Sequence, residues 1–221
     1  MALPVLIIGR SGNGKTFSIK GFTDTPDQIG VLSVEKGRLP FKSNIKVVKI
    51  PNYQNSPEFK TTAQISAARY GYVQMAIRTA KSKTIVIDDS QYLMADEFFD
   101  RAKESGYQKF TDIALNFRNL IHYINELPDN DKIVYFLHHS EADQDGREKV
   151  KTIGKMLDEK LTIEGCFDIV LYCRDQKFYT QGDGISTAKS PEGMFPLEIP
   201  NNLKLVDDAI REYYGMQTGG D

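Results

Sequence analysis

The sequence predicts an α/β fold, a three-layer sandwich with a mainly parallel sheet and a C-terminal β-hairpin. Three observations predict it. Short apolar runs rich in β-branched residues recur along the chain, and segments with helical signals separate them as far as residue 140. Several of these runs end in glycine or acidic residues, which puts polar groups at the carboxyl edge of the sheet, where α/β folds hold ligands. The 221 residues suit one domain, 1–221, and 40% hydrophobic with 26% charged residues is ordinary for a chain with a real core.

Val5 to Ile8, bounded by Pro4 and Gly9, reads as a buried parallel strand. The glycine-rich "GRSGNGKT" (9–16) follows, and "KTFSIKGF" reads as a short helix. "IGVLSVEKG" (29–37) is a second strand closed by a glycine, and "IKVVKI" (45–50) a third, stopped by Pro51. A long helix lies within 56–83, with Ser56 as its cap, Pro57 at its first position, and Lys81 and Lys83 at the end where the dipole favours cations. "TIVIDDS" (84–90) is a buried strand that leads into a helix at "SQYLMADEFF". Within 110–127, Ile113, Phe117, Leu120 and Ile124 share one face of an amphipathic helix. "KIVYFLHHS" (132–140) is the next strand and completes a core of about 4–140. The charged stretch 141–160 reads as a mobile loop, 167–190 as a strand and hairpin turning at "GDG", and 202–215 as a closing helix.

Bulk properties exclude several classes. A net charge of −2 rules out a polybasic binder, so nucleic-acid contact needs a local patch. Cys166 and Cys173 form no CxxC pair and read as buried small hydrophobes. With few cysteines, no signal-peptide pattern and no stretch of roughly 20 apolar residues, a cytoplasmic protein without a membrane partner is expected.

"GRSGNGKT" fits G-x-x-x-x-G-K-[ST] at Gly9, Gly14, Lys15 and Thr16. A triphosphate needs several amide N–H groups pointing inward, and side chains at the turning positions obstruct them. The following helix brings its positive dipole end to the phosphates. Gly9, Arg10, Ser11, Gly12, Asn13, Gly14, Lys15, Thr16 and Phe17 are therefore the expected ATP-binding residues, with Lys15 on the β- and γ-phosphates and Thr16 on Mg²⁺. The strand "TIVIDDS" supplies the acidic partner: Asp88 for Mg²⁺, and Asp89 either as a catalytic group or as a helix cap. This defines a P-loop NTPase and predicts ATPase activity.

Glu35, at the end of "VLSVEKG", is the favoured water-activating carboxylate, and Asp89 is the alternative. A glutamate on the strand after the phosphate loop resembles the arrangement of RecA-like recombinases; an acid directly after the metal-binding aspartate resembles that of AAA+ proteins. His138 and His139 end the strand 132–140, and one of them, His138 as first choice, is a candidate γ-phosphate sensor. Adjacent residues on a strand point to opposite faces, so one histidine is expected inside and one outside.

With these residues in place, the chain resembles the phage-encoded P-loop ATPases with a RecA/Rad51-like core, some of which act in single-strand annealing or recombination. "GRSGNGKT", "VLSVEKG", "TIVIDDSQYLM", "YFLHHSE", "KTIGKMLDEKLTIEGCFDIVLYC" and "TAKSPEGMF" carry the resemblance over residues 4 to about 196. It implies a RecA-like sheet, single-stranded DNA as a partner, a homo-oligomer, a DNA-binding loop at 141–160, and Lys189 reaching the nucleotide of a neighbouring subunit. Two features depart from that pattern. The first strand starts at about residue 4, which leaves no N-terminal arm for polymerisation, and in 141–160 acidic residues balance the basic ones. A nucleotide-dependent switch with little turnover and a small-molecule kinase are the alternatives, the latter disfavoured by scattered arginines.

Overall fold

The structure, a computed structural model, describes residues 1–153, 162–182 and 184–217. Residues 154–161, which hold much of the expected mobile loop, and Asp183 of "GDG" lie outside the described residues.

Strands β1 (Leu3–Gly9), β2 (Ile29–Ser33), β3 (Val47–Lys49), β4 (Thr84–Asp88), β5 (Ile133–Ala142), β6 (Glu148–Val150), β7 (Ile169–Arg174), β8 (Lys177–Tyr179) and β9 (Glu198–Pro200) form the sheet. Its order is β3-β2-β4-β5-β1-β7-β8-β9, with β6 paired to the end of β5. The pairs from β3 to β7 are parallel; β8, β9 and β6 pair antiparallel. This is the mainly parallel α/β sandwich of a P-loop NTPase.

Alternation along β1 feeds two cores. Leu6 and Ile8 pack toward one face, under the helices α1 (Thr62–Thr79), α2 (Tyr92–Asp100) and α3 (Gln108–Glu126). Val5 and Ile7 pack toward the other, under Ile19 and Phe22 and under Leu203, Val206 and Ile210 of α4 (Leu203–Tyr214). Because β1 is covered on both faces it reads as a continuous apolar run. The segment after the glycine loop, Thr16–Phe22, is 3₁₀ rather than α.

Several sequence expectations need correction. Helix α1 starts at Thr62, not near Ser56 and Pro57. Thr61 caps it reciprocally: its side chain accepts from the Gln64 amide, and the Gln64 side chain accepts from the Thr61 amide. Its far end is not capped by Lys81 or Lys83. The buried Lys132 donates to the carbonyls of Ile77 (2.8 Å) and Ala80 (3.1 Å), while Lys83 pairs with Asp129 at 2.9 Å. Strands β7 and β8 turn at Asp175 and Gln176, both left-handed with φ of 51° and 60°, a turn not expected from the sequence; the expected turn at "GDG" includes Asp183, outside the described residues. Finally, part of the stretch expected as a loop is strand: β5 continues to Ala142 and the chain folds back as β6.

Candidate active site

The sheet order builds the site. Strand β5 lies between β1 and β4, so what ends β5 stands between the glycine loop and the acidic pair. Gly9 is in register with His139, and Ser33 with Asp88. The glycine loop, His139, Asp88, Asp89 and the residues after Ser33 thus share one edge of the sheet.

The loop is pinned on its β7 flank. The Asn13 amide donates to the Cys173 carbonyl (2.9 Å) and the Cys173 thiol to the Asn13 carbonyl (3.1 Å). Asn201 donates to the Gly14 carbonyl at 3.0 Å. Gly14 has φ of 94°, which favours glycine, and a Cβ there would lie 2.5 Å from Asn201 Nδ2 and displace that side chain from the loop. Arg10 leaves the loop on the other side, its Nε donating to Glu148 Oε1 at 2.6 Å, and the other Glu148 oxygen accepts from Ser140 at 2.5 Å. Ser11 and Gly12 are exposed at the crest.

Lys15 is buried and donates to the carbonyls of Gly9 (2.6 Å) and Arg10 (3.1 Å). Burial lowers its pKa, and Cys173, Asp89 and Asp88 oppose that shift. Thr16 Oγ1 donates to Asp88 Oδ1 at 2.8 Å. Burial and the neighbouring Asp89 push Asp88 up to about 6, against the Thr16 hydrogen bond, Lys15 and Lys36. A carboxylate destabilised in this way is a site that gains from a bound cation. A hydroxyl and a carboxylate in contact are the hard oxygens that Mg²⁺ accepts, and Mg²⁺ completes its shell with phosphate oxygens and water. Among the described residues no group of three His, Cys, Asp or Glu side chains could hold a metal unaided.

Asp89 sits with φ of 58°. Burial pushes its carboxyl up, but the His139 hydrogen bond and charge, with Lys36 and Lys15, outweigh it and hold Asp89 below the usual carboxylate range. His139 Nε2 lies 3.4 Å from Asp89 Oδ1. His138 faces the opposite way, fully buried against the Phe117 ring. Its Nε2 meets the Lys151 carbonyl at 3.0 Å and its Nδ1 the Ser90 hydroxyl at 2.9 Å. A carbonyl only accepts, so Nε2 carries the proton and Nδ1 accepts from Ser90. Burial pushes His138 down to about 4, so it is neutral at physiological pH. Of the two histidines, His139 is the one placed beside the acidic pair.

Glu35 follows β2, half-buried, with its charge felt by Asp96 of α2. It makes no hydrogen bond or ion pair among the described residues. The next residues line a cavity of about 430 Å³, formed by Thr16, Lys36, Arg38, Leu39, Pro40 and Asp88; Glu35 itself is not in its lining. Lys36 and Arg38 were not anticipated from the sequence, although their place directly after a strand at the ligand edge was a readable signal. Asn201 and Glu148 gave none, because their roles depend on contacts 187 and 138 residues away. Lys189 is not brought to the site of its own chain. Its backbone pairs with Val170, the second residue of β7, and its charge acts on Cys166, three residues before that strand.

A chain with a glycine loop, a buried lysine and a hydroxyl–aspartate contact at the carboxyl edge of a parallel sheet belongs to the P-loop NTPases. More particularly, residues 1–195 match the AAA domain family, and the chain belongs to that family. Among solved structures it is similar to a KaiC-like protein from the hyperthermophilic archaeon Pyrococcus horikoshii OT3, at 12% identity and TM-score 0.45 over 77% of this chain and 71% of that one. It is also similar to an ATPase from the type III secretion system of pathogenic bacteria (12%, 0.44, covering 77% and 50%). A third is a DnaB-like replicative helicase, described with its interactions with primase (17%, 0.42, covering 79% and 48%). The chain thus spans about half the length of the last two. No curated protein matches it. No helix among the described residues is long and apolar enough to cross a membrane.

Proposed function

We propose that this chain binds ATP with Mg²⁺ and hydrolyses it, in a role in DNA recombination, replication or repair with single-stranded DNA as its partner. The observation that carries the nucleotide part is the 2.8 Å contact between Thr16 and Asp88, which joins the end of the glycine loop to the acidic strand. The amides of residues 10–16 would cradle the phosphates, with Lys15 on the β- and γ-phosphates, and Thr16 and Asp88 would hold Mg²⁺. The metal would supply charge neutralisation at the phosphate oxygens.

Glu35 is the better water-activating carboxylate. Asp89 is committed to His139 and is held a weak base by it, whereas Glu35 is unpaired among the described residues. A water oxygen bonds to the γ-phosphorus, the bond from phosphorus to the bridging oxygen breaks with its electron pair leaving on ADP, and the water proton passes to Glu35. The Asp89–His139 pair, between the loop and the metal ligands, takes the sensing role assigned from the sequence to His138.

The DNA part rests on the resemblance of the sequence and on two links from the site to the β5–β6 hairpin: Arg10 to Glu148, and Ser90 through His138 to Lys151. A ligand on that hairpin can act on the site through them. Nucleotide binding and phosphate release, measured with and without single-stranded DNA, test the reading. Binding lost in Lys15→Ala and turnover raised by DNA are expected. Unchanged binding in Lys15→Ala would sink the nucleotide part, and turnover indifferent to DNA the second part.

A further inference from the structure

We propose that Lys36 and Arg38 grip the terminal phosphate of the bound nucleoside triphosphate from within the same chain, so that one protomer carries the cations that distinguish a triphosphate from a diphosphate. The inference rests on the nucleotide-binding reading above and deepens it.

The geometry starts with how the segment after β2 is held. Ser33 is the last residue of the strand, and its hydroxyl accepts from the Gly37 amide at 2.9 Å. Gly37 has φ of 65°, a left-handed turn that sends the chain back across the sheet edge. Leu39 and Phe41 then pack against the core that contains Val5 and Ile7. The Phe41 ring meets Phe17, the residue after Thr16, edge-on at 5.9 Å. Two anchors therefore fix the segment over the end of the glycine loop, one at Ser33 and one at Phe17.

Between those anchors lies the 430 Å³ cavity, with Thr16 and Asp88 in its lining together with Lys36 and Arg38. Lys36 acts electrostatically on Lys15, Asp88 and Asp89, which places its charge among the groups of the site. Among the described residues neither Lys36 nor Arg38 makes a hydrogen bond or ion pair, so no described side chain neutralises these two cations. The P-loop holds a nucleotide by its phosphates, and its Thr16 end is where the metal and γ-phosphate come together. A group bridging from Thr16 and Asp88 into this cavity is therefore anionic, and it meets a lysine and a planar guanidinium, the pair of side chains suited to a phosphoryl oxygen as point charge and as fork. With the loop amides taking the α- and β-phosphates, the phosphate left to this cavity is the third. The selectivity is accordingly for the third phosphate.

The test compares equilibrium binding of a non-hydrolysable ATP analogue and of ADP, with Mg²⁺, to the wild-type chain, Lys36→Ala, Arg38→Ala and the double variant, followed by phosphate release over a tenfold range of protein concentration. Both side chains belong to exposed residues, so the variants fold. The expected result is a wild-type preference for the triphosphate that falls by roughly 10- to 100-fold in the double variant while ADP affinity holds, the size of one or two charge-assisted hydrogen bonds. Turnover per chain is expected to be independent of concentration. A wild-type chain that binds ADP and the analogue, with a ratio unaltered by either substitution, overturns the inference and leaves the P-loop reading standing. A rate per chain that climbs with concentration also overturns it, since the cations would then come from a neighbour. A wild-type chain that binds neither nucleotide overturns both.

Discussion

Two groups of charges in this molecule behave in opposite ways. Behind the sheet, Asp207 of α4 is closed on all sides. It accepts from Thr84 (2.9 Å), Tyr135 (3.0 Å) and Arg211 Nε (2.7 Å), and the rest of the Arg211 guanidinium donates to the carbonyls of Asp131 and Gln217 and to Thr84. At the site edge, Lys15 is buried against carbonyl dipoles, Asp88 and Asp89 stand next to each other, and Lys36 and Arg38 face a cavity. The first cluster ties α4 to β4 and β5, and four of the five Arg211 N–H donors are taken up by these partners. The second holds opposite charges close together without neutralising them pairwise. Charge that the fold compensates is structural; charge that it concentrates and leaves open is available to a ligand.

The sharpest way to break this contrast is to open the compensated cluster. Asp207→Ala leaves the buried Arg211 without its carboxylate, and a loss of about 3–5 kcal/mol in unfolding free energy is expected from urea titration. A loss below about 1 kcal/mol would mean that the cluster is no more structural than the site. At the site the order reverses. Lys15→Ala removes a cation whose burial already disfavours it, so unfolding free energy should move by less than about 1 kcal/mol, while ATP affinity falls by roughly 100-fold or more through the lost contact to phosphate.

The two adjacent histidines sharpen the comparison within a single strand. His138 belongs to the compensated class, and its folded pKa is depressed to about 4 against an ordinary 6.5. Above about pH 6.5 the ring is neutral in both states and has no effect on the balance. As pH falls below that value the unfolded chain takes up a proton that the folded chain refuses, and stability declines until the folded value near 4 is passed, by about 3 kcal/mol in all. His138→Gln should flatten the difference between unfolding curves at pH 7 and pH 4.5 relative to wild type. An equal slope in both proteins would show that acid sensitivity arises elsewhere.

How much of this was legible in the sequence follows the same division. The alternation of strands and helices that marks a parallel α/β sheet, the glycine loop and the acid pair were readable because each rests on local residue types at a fixed spacing. Helix α1 was placed too early because Ser56 and Pro57 gave one local signal while Thr61 and Gln64, three residues apart, gave a better satisfied one. The hairpin turn was missed because Asp175 and Gln176 adopt left-handed angles that glycine usually supplies, and glycines a few residues later drew the assignment away. Lys36 and Arg38 carried no assignment from the sequence, and only the cavity shows what they face. The Asp207–Arg211 pair is visible as a helical spacing of four, but its burial against Thr84 and Tyr135 is a property of the fold.

The pair that straddles the two classes is Arg10 and Glu148. The Arg10 side chain is 61% exposed at the loop, whereas that of Glu148 is 5% exposed and also accepts from Ser140. Screening by solvent at the exposed end limits what the ion pair adds to stability, so Glu148→Gln, which keeps the shape, an oxygen to accept from Arg10 and an NH₂ to donate to the Ser140 hydroxyl, should cost less than about 1 kcal/mol in unfolding free energy. Removing the negative charge frees the guanidinium for the phosphates beside it, and ATP affinity should rise by about 2- to 5-fold, the equivalent of that same energy. The two readouts separate the classes. A stability loss of several kcal/mol with unchanged affinity would assign the pair to the compensated interior. A shift in affinity with little change in stability assigns it to the site, and with it the β5–β6 hairpin whose position Glu148 fixes.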